Sequence, residues 1–192
     1  MKKTLFLISF ICLSCLSAFA ADKLSFSFLK GETAMSFVVN WSQLTINGLK
    51  KNDWIERRNA EQPQYDAKSE YETELLTRIN DFVSAANEQL KKVNIFISPK
   101  AGRKYTVYLY PQNFNSKGDN SIECIIKETA TGKTMTEFVI NGKGGTFGSM
   151  SNLWGDGMKS SGKKFGKLIC KHLGYNPTIK DKVDDVFSRV GI

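Results

Sequence analysis

Apolar and polar residues alternate in several short runs along the chain. Leu24, Phe26 and Phe28 form the first, and Met35, Phe37, Val39 and Trp41 the second, with Lys30-Gly31-Glu32 between them. A period of two places successive side chains on opposite faces of a strand. The pattern predicts a β-hairpin with strands over 24–29 and 34–41. Asn52 or Asp53 is placed to cap a short helix carrying Trp54 and Ile55, which Gln62-Pro63-Gln64 ends.

The period then changes. Leu75, Ile79, Phe82, Val83, Ala86 and Leu90 recur at spacings of three and four, which predicts a helix over 66–92. Glu70, Glu74 and Arg78 line its outer side, with Glu74 spaced to pair with Arg78. Val93 to Ile97 forms a possible short strand. Alternation returns in Tyr105, Val107 and Leu109, in Ile122, Cys124 and Ile126, and in Thr136, Phe138 and Ile140. Thr131-Gly132-Lys133 reads as a tight turn, and the polar stretch from Pro111 to Asn120 as a loop bending at Gly118-Asp119. A second long helix is predicted over 156–173, with Gly174 as its stop and Pro177 beyond. A short amphipathic helix is expected over 178–190. The order β-β-α-β-β-β-α predicts an α+β fold: a small mixed, mostly antiparallel sheet with two long helices on one face.

Met1-Lys2-Lys3, the apolar run Leu5 to Leu16, and small residues at Ala18 and Ala20 match a secretory signal peptide cleaved after Ala20. The apolar run is shorter than the ~20 residues a membrane span needs. Leu13-Ser14-Cys15 resembles a lipid-attachment site, but position 12 is Cys where an aliphatic residue is wanted, so cleavage without lipidation is the expectation. Residues 1–20 are thus read as the leader and 21–192 as one α+β domain, with 178–192 as its tail. The expected location is the periplasm or the medium. Export removes Cys12 and Cys15 and leaves Cys124 and Cys170.

The formal charge of +8 suggests an anionic partner. It is unevenly spread: residues 21–90 hold 8 basic and 11 acidic side chains, whereas 91–192 hold 17 basic and 8 acidic. Export argues against nucleic acid as the partner. On the late helix, Lys159, Lys163, Lys164, Lys167 and Lys171 share one side at 100° per residue, a candidate surface for anionic lipid or acidic glycan. The opposite side carries Met158, Gly162, Phe165, Gly166, Ile169 and His172, with the two glycines suited to close approach to the sheet and His172 read as a packed core residue.

Two glycine-rich stretches imitate nucleotide sites and fail the details. Gly142-Lys143-Gly144-Gly145-Thr146-Phe147-Gly148 has its third glycine one residue too far along for the dinucleotide fingerprint. Gly157 to Lys164 reads G-x-x-x-x-G-K followed by Lys, where a P-loop needs Ser or Thr for magnesium, and it lies inside a predicted helix. No cofactor or metal is expected, since one His and two mature Cys offer few ligands. The carboxylates Glu70, Glu72, Glu74, Asp184 and Asp185 read as solvated charge. Cys124 and Cys170 are either a disulfide or two buried thiols.

Tyr108, Tyr110, Ile125 and Val139 project from the sheet face opposite the core residues. That face is too apolar to be fully wetted, so either the chain's own hairpin or a partner covers it.

The words Phe28-Leu29-Lys30-Gly31-Glu32, Asn40-Trp41-Ser42 and Asp53-Trp54-Ile55, then the glycine loop and Gly157-Met158 with Gly162-Lys163, resemble exported proteins of Bacteroidetes that have no established activity. The core order is also similar to small periplasmic domains, such as the amino-terminal domain of the Tol-system translocation protein and curli-secretion lipoproteins. That resemblance implies envelope assembly through protein contacts. The expectation is a non-catalytic exported envelope protein that binds a partner or itself. The alternative is an anion-binding module using the lysine side, with a hydrolase as the weakest class.

Overall fold

The computed structural model describes residues 24–178. The leader predicted over 1–20 and nearly all of the tail from 178 onward lie outside that range. The fold is α+β, as predicted. Its strands are β1 (Ala34–Val39), β2 (Thr45–Ile46), β3 (Phe96–Ser98), β4 (Tyr105–Phe114), β5 (Asn120–Glu128) and β6 (Thr134–Gly142). Its helices are α1 (Lys51–Glu61), α2 (Ala67–Ser69), α3 (Ile79–Leu90) and α4 (Met150–His172).

The sheet runs β3-β1-β4-β5-β6, and β2 joins β4 beyond the end of β1. β4, β5 and β6 form an antiparallel meander, whereas β1 lies parallel to both β3 and β4. This replaces the predicted N-terminal hairpin. Residues 27–29 form a 3₁₀ turn instead of a strand. Phe26 and Leu29, three residues apart, both reach the core, which a strand could not arrange. Phe26 packs on Phe138 and Phe28 on Tyr105, so the segment covers the helix-bearing side of the sheet. β1 then pairs with strands far along the chain because the helical segment returns it in the same direction, which only a long crossover permits.

β4 continues through Pro111 to Phe114, three residues past the predicted loop start. The register shifts between Pro111 and Asn113, and a bulge is where a strand accommodates a residue without an N–H. Residues 115–119 make the turn into β5, with Gly118 at φ +85°. The helical run predicted over 66–92 is present from Ala67 to Val93, but its geometry changes along the way. A π-helical turn over Glu70–Leu75 and a 3₁₀ turn over Leu76–Arg78 separate α2 from α3. Arg78 pairs with Asp81 and Ser151 rather than with Glu74. α1 begins at Lys51 with no side-chain cap.

α4 starts six residues earlier than predicted. Ser149 caps it by accepting the Asn152 N–H, and Gly155, ahead of the predicted start, is in the helix. α3 and α4 pack side by side on one face of the sheet. Phe82 meets Phe165 at 5.5 Å, and Phe165 stacks on Phe138 of β6. A Cβ on Gly162 would sit 2.2 Å from the Phe82 carbonyl oxygen, and one on Gly166 2.8 Å from that of Ala86. The two glycines therefore bring α4 against α3, not against the sheet as the sequence suggested.

Candidate functional site: the open face of the sheet

Pairing register places four predicted residues on one surface. Val38 stands beside Tyr108, Tyr108 beside Ile125, and Ile125 beside Glu137. One step along the strands, Tyr110 stands beside Glu123, and Glu123 beside Val139. Their neighbours Val107, Leu109, Ile122, Cys124 and Ile126 point the other way and are fully buried under the helices. Val38 and Val139 are 47% and 52% exposed. Tyr108, Tyr110 and Ile125 are half-buried. The hairpin that might have covered this face does not exist: Phe26 and Phe28 pack on the other side, and β1 is part of the sheet itself. Lys127 stands over the Tyr108 ring with its ammonium 5.5 Å from the centroid, and Gln112 donates to Glu123 at 3.2 Å. The face is thus an apolar patch with Glu123 set between Tyr110 and Val139 and with Lys127, Gln112 and Glu137 beside it.

The lysines of α4 form a separate surface. Lys159, Lys164, Lys167 and Lys171 are exposed and Lys163 is half-buried. Lys164 donates to the Asn141 carbonyl of β6. His172 is exposed at the end of the helix with its ring 5.3 Å from that of Phe26, so it is not the core residue that periodicity suggested.

The glycine loop holds an internal carboxylate. Gly144 N–H donates to Asp119 Oδ1 at 3.0 Å, and the Lys143 ammonium and Asn115 amide donate to Asp119 Oδ2. These groups, the Gly144 N–H first, hold the Asp119 carboxyl below its ordinary range. The glycines permit crowding: a Cβ on Gly144 would overlap the Lys117 carbonyl, and one on Gly157 the Gly118 carbonyl. The P-loop imitation lies wholly within α4.

The cysteines do not form the disulfide considered above: both are free and buried. Cys170 Sγ points to the Gln89 carbonyl of α3 at 3.3 Å, and Cys124 Sγ to the Ile122 carbonyl at 3.7 Å. Burial raises both thiol pKa values. Among the carboxylates, Glu70 takes a two-pronged ion pair from Arg58, and Glu72 pairs with Lys51. A cleft of about 210 Å³ lies between α1 and the β4–β5 turn, walled by Asn47, Trp54, Arg57, Arg58, Glu61 and Ser116. Sequence reasoning did not foresee it, because it joins segments nearly 60 residues apart. Among the described residues, no group of three His, Cys, Asp or Glu is placed to hold a metal ion. No helix there is long and apolar enough to cross a membrane.

No family model and no curated protein matches the chain. Three solved structures resemble parts of it. One, of an uncharacterized protein, is 15% identical with a TM-score of 0.33, over 46% of this chain and 61% of that one. A second, described as a lipoprotein from Caulobacter crescentus CB15, is 10% identical with a TM-score of 0.27, over 53% of this chain and 99% of that one. The third, the LpoB C-terminal domain from Salmonella enterica, is 15% identical with a TM-score of 0.23, over 59% and 88%. At such scores the likeness carries no argument about function.

Proposed function

We propose that this is a non-catalytic exported protein of the cell envelope that acts through protein–protein contacts on the open face of its sheet. The supporting observation is the apolar strip of Val38, Tyr108, Ile125, Tyr110 and Val139, with both valines about half exposed. A sheet face turned to water ordinarily alternates to polar residues, and a contiguous exposed apolar strip marks a contact surface. Tyrosine suits such a surface, since it buries a large ring and keeps a hydroxyl for the rim. Export rests on the leader pattern of residues 1–20.

A photo-crosslinking amino acid at Val139, introduced in the native host, tests the reading. Covalent adducts to a protein are expected, lost when Tyr108→Lys and Tyr110→Lys are added. Circular dichroism checks that the double variant folds, and light scattering reads its assembly state. Absence of adducts, or the same adducts in the folded double variant, overturns the proposal.

A further inference from the structure

The loop between β6 and α4 carries Phe147, which is 90% exposed, far more than any other exposed large apolar residue of the described chain. Such exposure of a phenyl ring is unfavourable in water. The loop around it is braced on both sides. Lys143 N–H donates to Ser160 Oγ at 3.0 Å, Gly144 N–H to Asp119, and Asn152 N–H to Ser149 Oγ. Gly148, at φ +126°, turns the chain immediately after the ring. Phe147 is therefore held out by a structured loop, two residues ahead of the helix cap.

The helix that follows presents its lysines on the side the loop enters. At 100° per residue, Ser149 and Asn152 fall in the same sector as Lys159, Lys163, Lys167 and Lys171, with Lys164 at its border. Asp156 is the acidic residue of that sector. From Lys159 to Lys171 the ammonium groups are spread over ~18 Å at the helical rise. The apolar side of α4 is not available for insertion, because Trp154, Met158, Phe165 and Ile169 are fully buried in the core.

We infer that this surface docks on an anionic lipid bilayer, with α4 lying along the headgroups through its lysines and Phe147 entering the interface. Ammonium groups on flexible stems, strung along a line, suit a diffuse field of headgroup charge better than the fixed anions of one protein site. A single protruding aromatic ring fits the boundary between headgroups and chains. The helices occupy the face of the sheet opposite the tyrosine strip, so the two surfaces belong to separate layers.

The test uses the purified protein without its predicted leader, residues 21–192, and vesicles of phosphatidylcholine with or without about 30 mol% phosphatidylglycerol. Sedimentation with the anionic vesicles is expected at low salt, with release as salt rises. Phe147→Ala and, separately, Lys163→Glu with Lys167→Glu should each weaken binding by about tenfold or more. The Tyr108→Lys/Tyr110→Lys variant should bind vesicles as the parent does. Phe147→Trp should add emission that brominated lipid quenches. Equal binding by the parent, Phe147→Ala and lysine variants overturns the inference, as does no binding at all, or a bound Phe147→Trp that brominated lipid leaves unquenched. None of these results bears on the crosslinks from Val139.

Discussion

Ser161 Oγ donates to Asn120 Oδ1 at 2.6 Å, inside the seam between α4 and the start of β5. Both residues are buried, and the Asn120 amide in turn donates to the Gly118 carbonyl at 3.1 Å. The seam is this narrow because Gly142 and Gly157 flank it; a Cβ on either would lie within 3 Å of its neighbours. The bond ties α4 to the start of β5 at a point where the backbones leave no room for larger side chains. Ser161→Ala leaves the Asn120 oxygen buried without its donor, at an expected cost of about 1–3 kcal/mol. Urea unfolding measures this. A double cycle with Asn120→Ala should show coupling between the two sites, and additive losses would assign the cost to something other than this bond.

Gly162 makes a second demand on the same helix. Alanine is the better helix former by about 1 kcal/mol. Here its methyl would press on the Phe82 carbonyl of α3, which is backbone and cannot rotate away. Overpacking of that kind costs about 1–3 kcal/mol. Gly162→Ala should therefore lower the melting temperature by several degrees, whereas Lys159→Ala on the exposed side leaves it within experimental error. A Gly162→Ala variant that melts higher would show that α3 and α4 are not so close.

These two seams also show where the amino-acid sequence is readable. The alternation in β4, β5 and β6 is local, and their buried and open faces were both legible from it, including Tyr108, Tyr110, Ile125 and Val139. The parallel placement of β1 was not, because a period of two says nothing about which strand a strand meets. Phe26 and Leu29 mislead for a related reason: one turn of 3₁₀ helix buries two apolar residues that a strand pattern would separate. Gly155 lies ahead of the predicted helix start, yet in α4 it serves close packing against Arg78 and Asp81. His172 escapes burial because it sits in the last turn, where the helix runs past its supports. The exposure of Phe147 has no signal in the sequence, since an aromatic residue in a glycine loop is as often tucked in as held out.

The two thiols provide a test that does not depend on stability. Burial raises the pKa of Cys124 and Cys170, and each Sγ faces a backbone carbonyl. A raised thiol pKa means less thiolate, the reactive form, at any given pH. In the native protein both should resist an aromatic disulfide reagent between about pH 7 and 9, a range spanning the ordinary thiol pKa. Both should react fully in denaturant without prior reduction. Fast labelling of the native state would place one of them at the surface, and a need for reductant in denaturant would reveal the missing disulfide.

Asp119 links the β4–β5 turn to the glycine loop, and its charge state should be visible in acid. The Gly144 N–H, with the Asn115 amide and the Lys143 ammonium, favours the carboxylate, so the folded pKa lies below the ordinary value of about 3.9. The unfolded chain then takes up the proton at a higher pH than the folded one. The stabilisation is complete above the ordinary value and is lost as pH falls from there toward the depressed one. Asp119→Asn keeps an oxygen for Gly144 but has no charge to lose. At neutral pH the variant should be the less stable of the two, and the gap should narrow once the pH drops below about 4. Urea midpoints across that range measure the gap. Profiles that stay parallel would mean that the carboxylate gains nothing from the loop it bonds, and the bracing of Phe147 would then have to come from Ser149 and Ser160 alone.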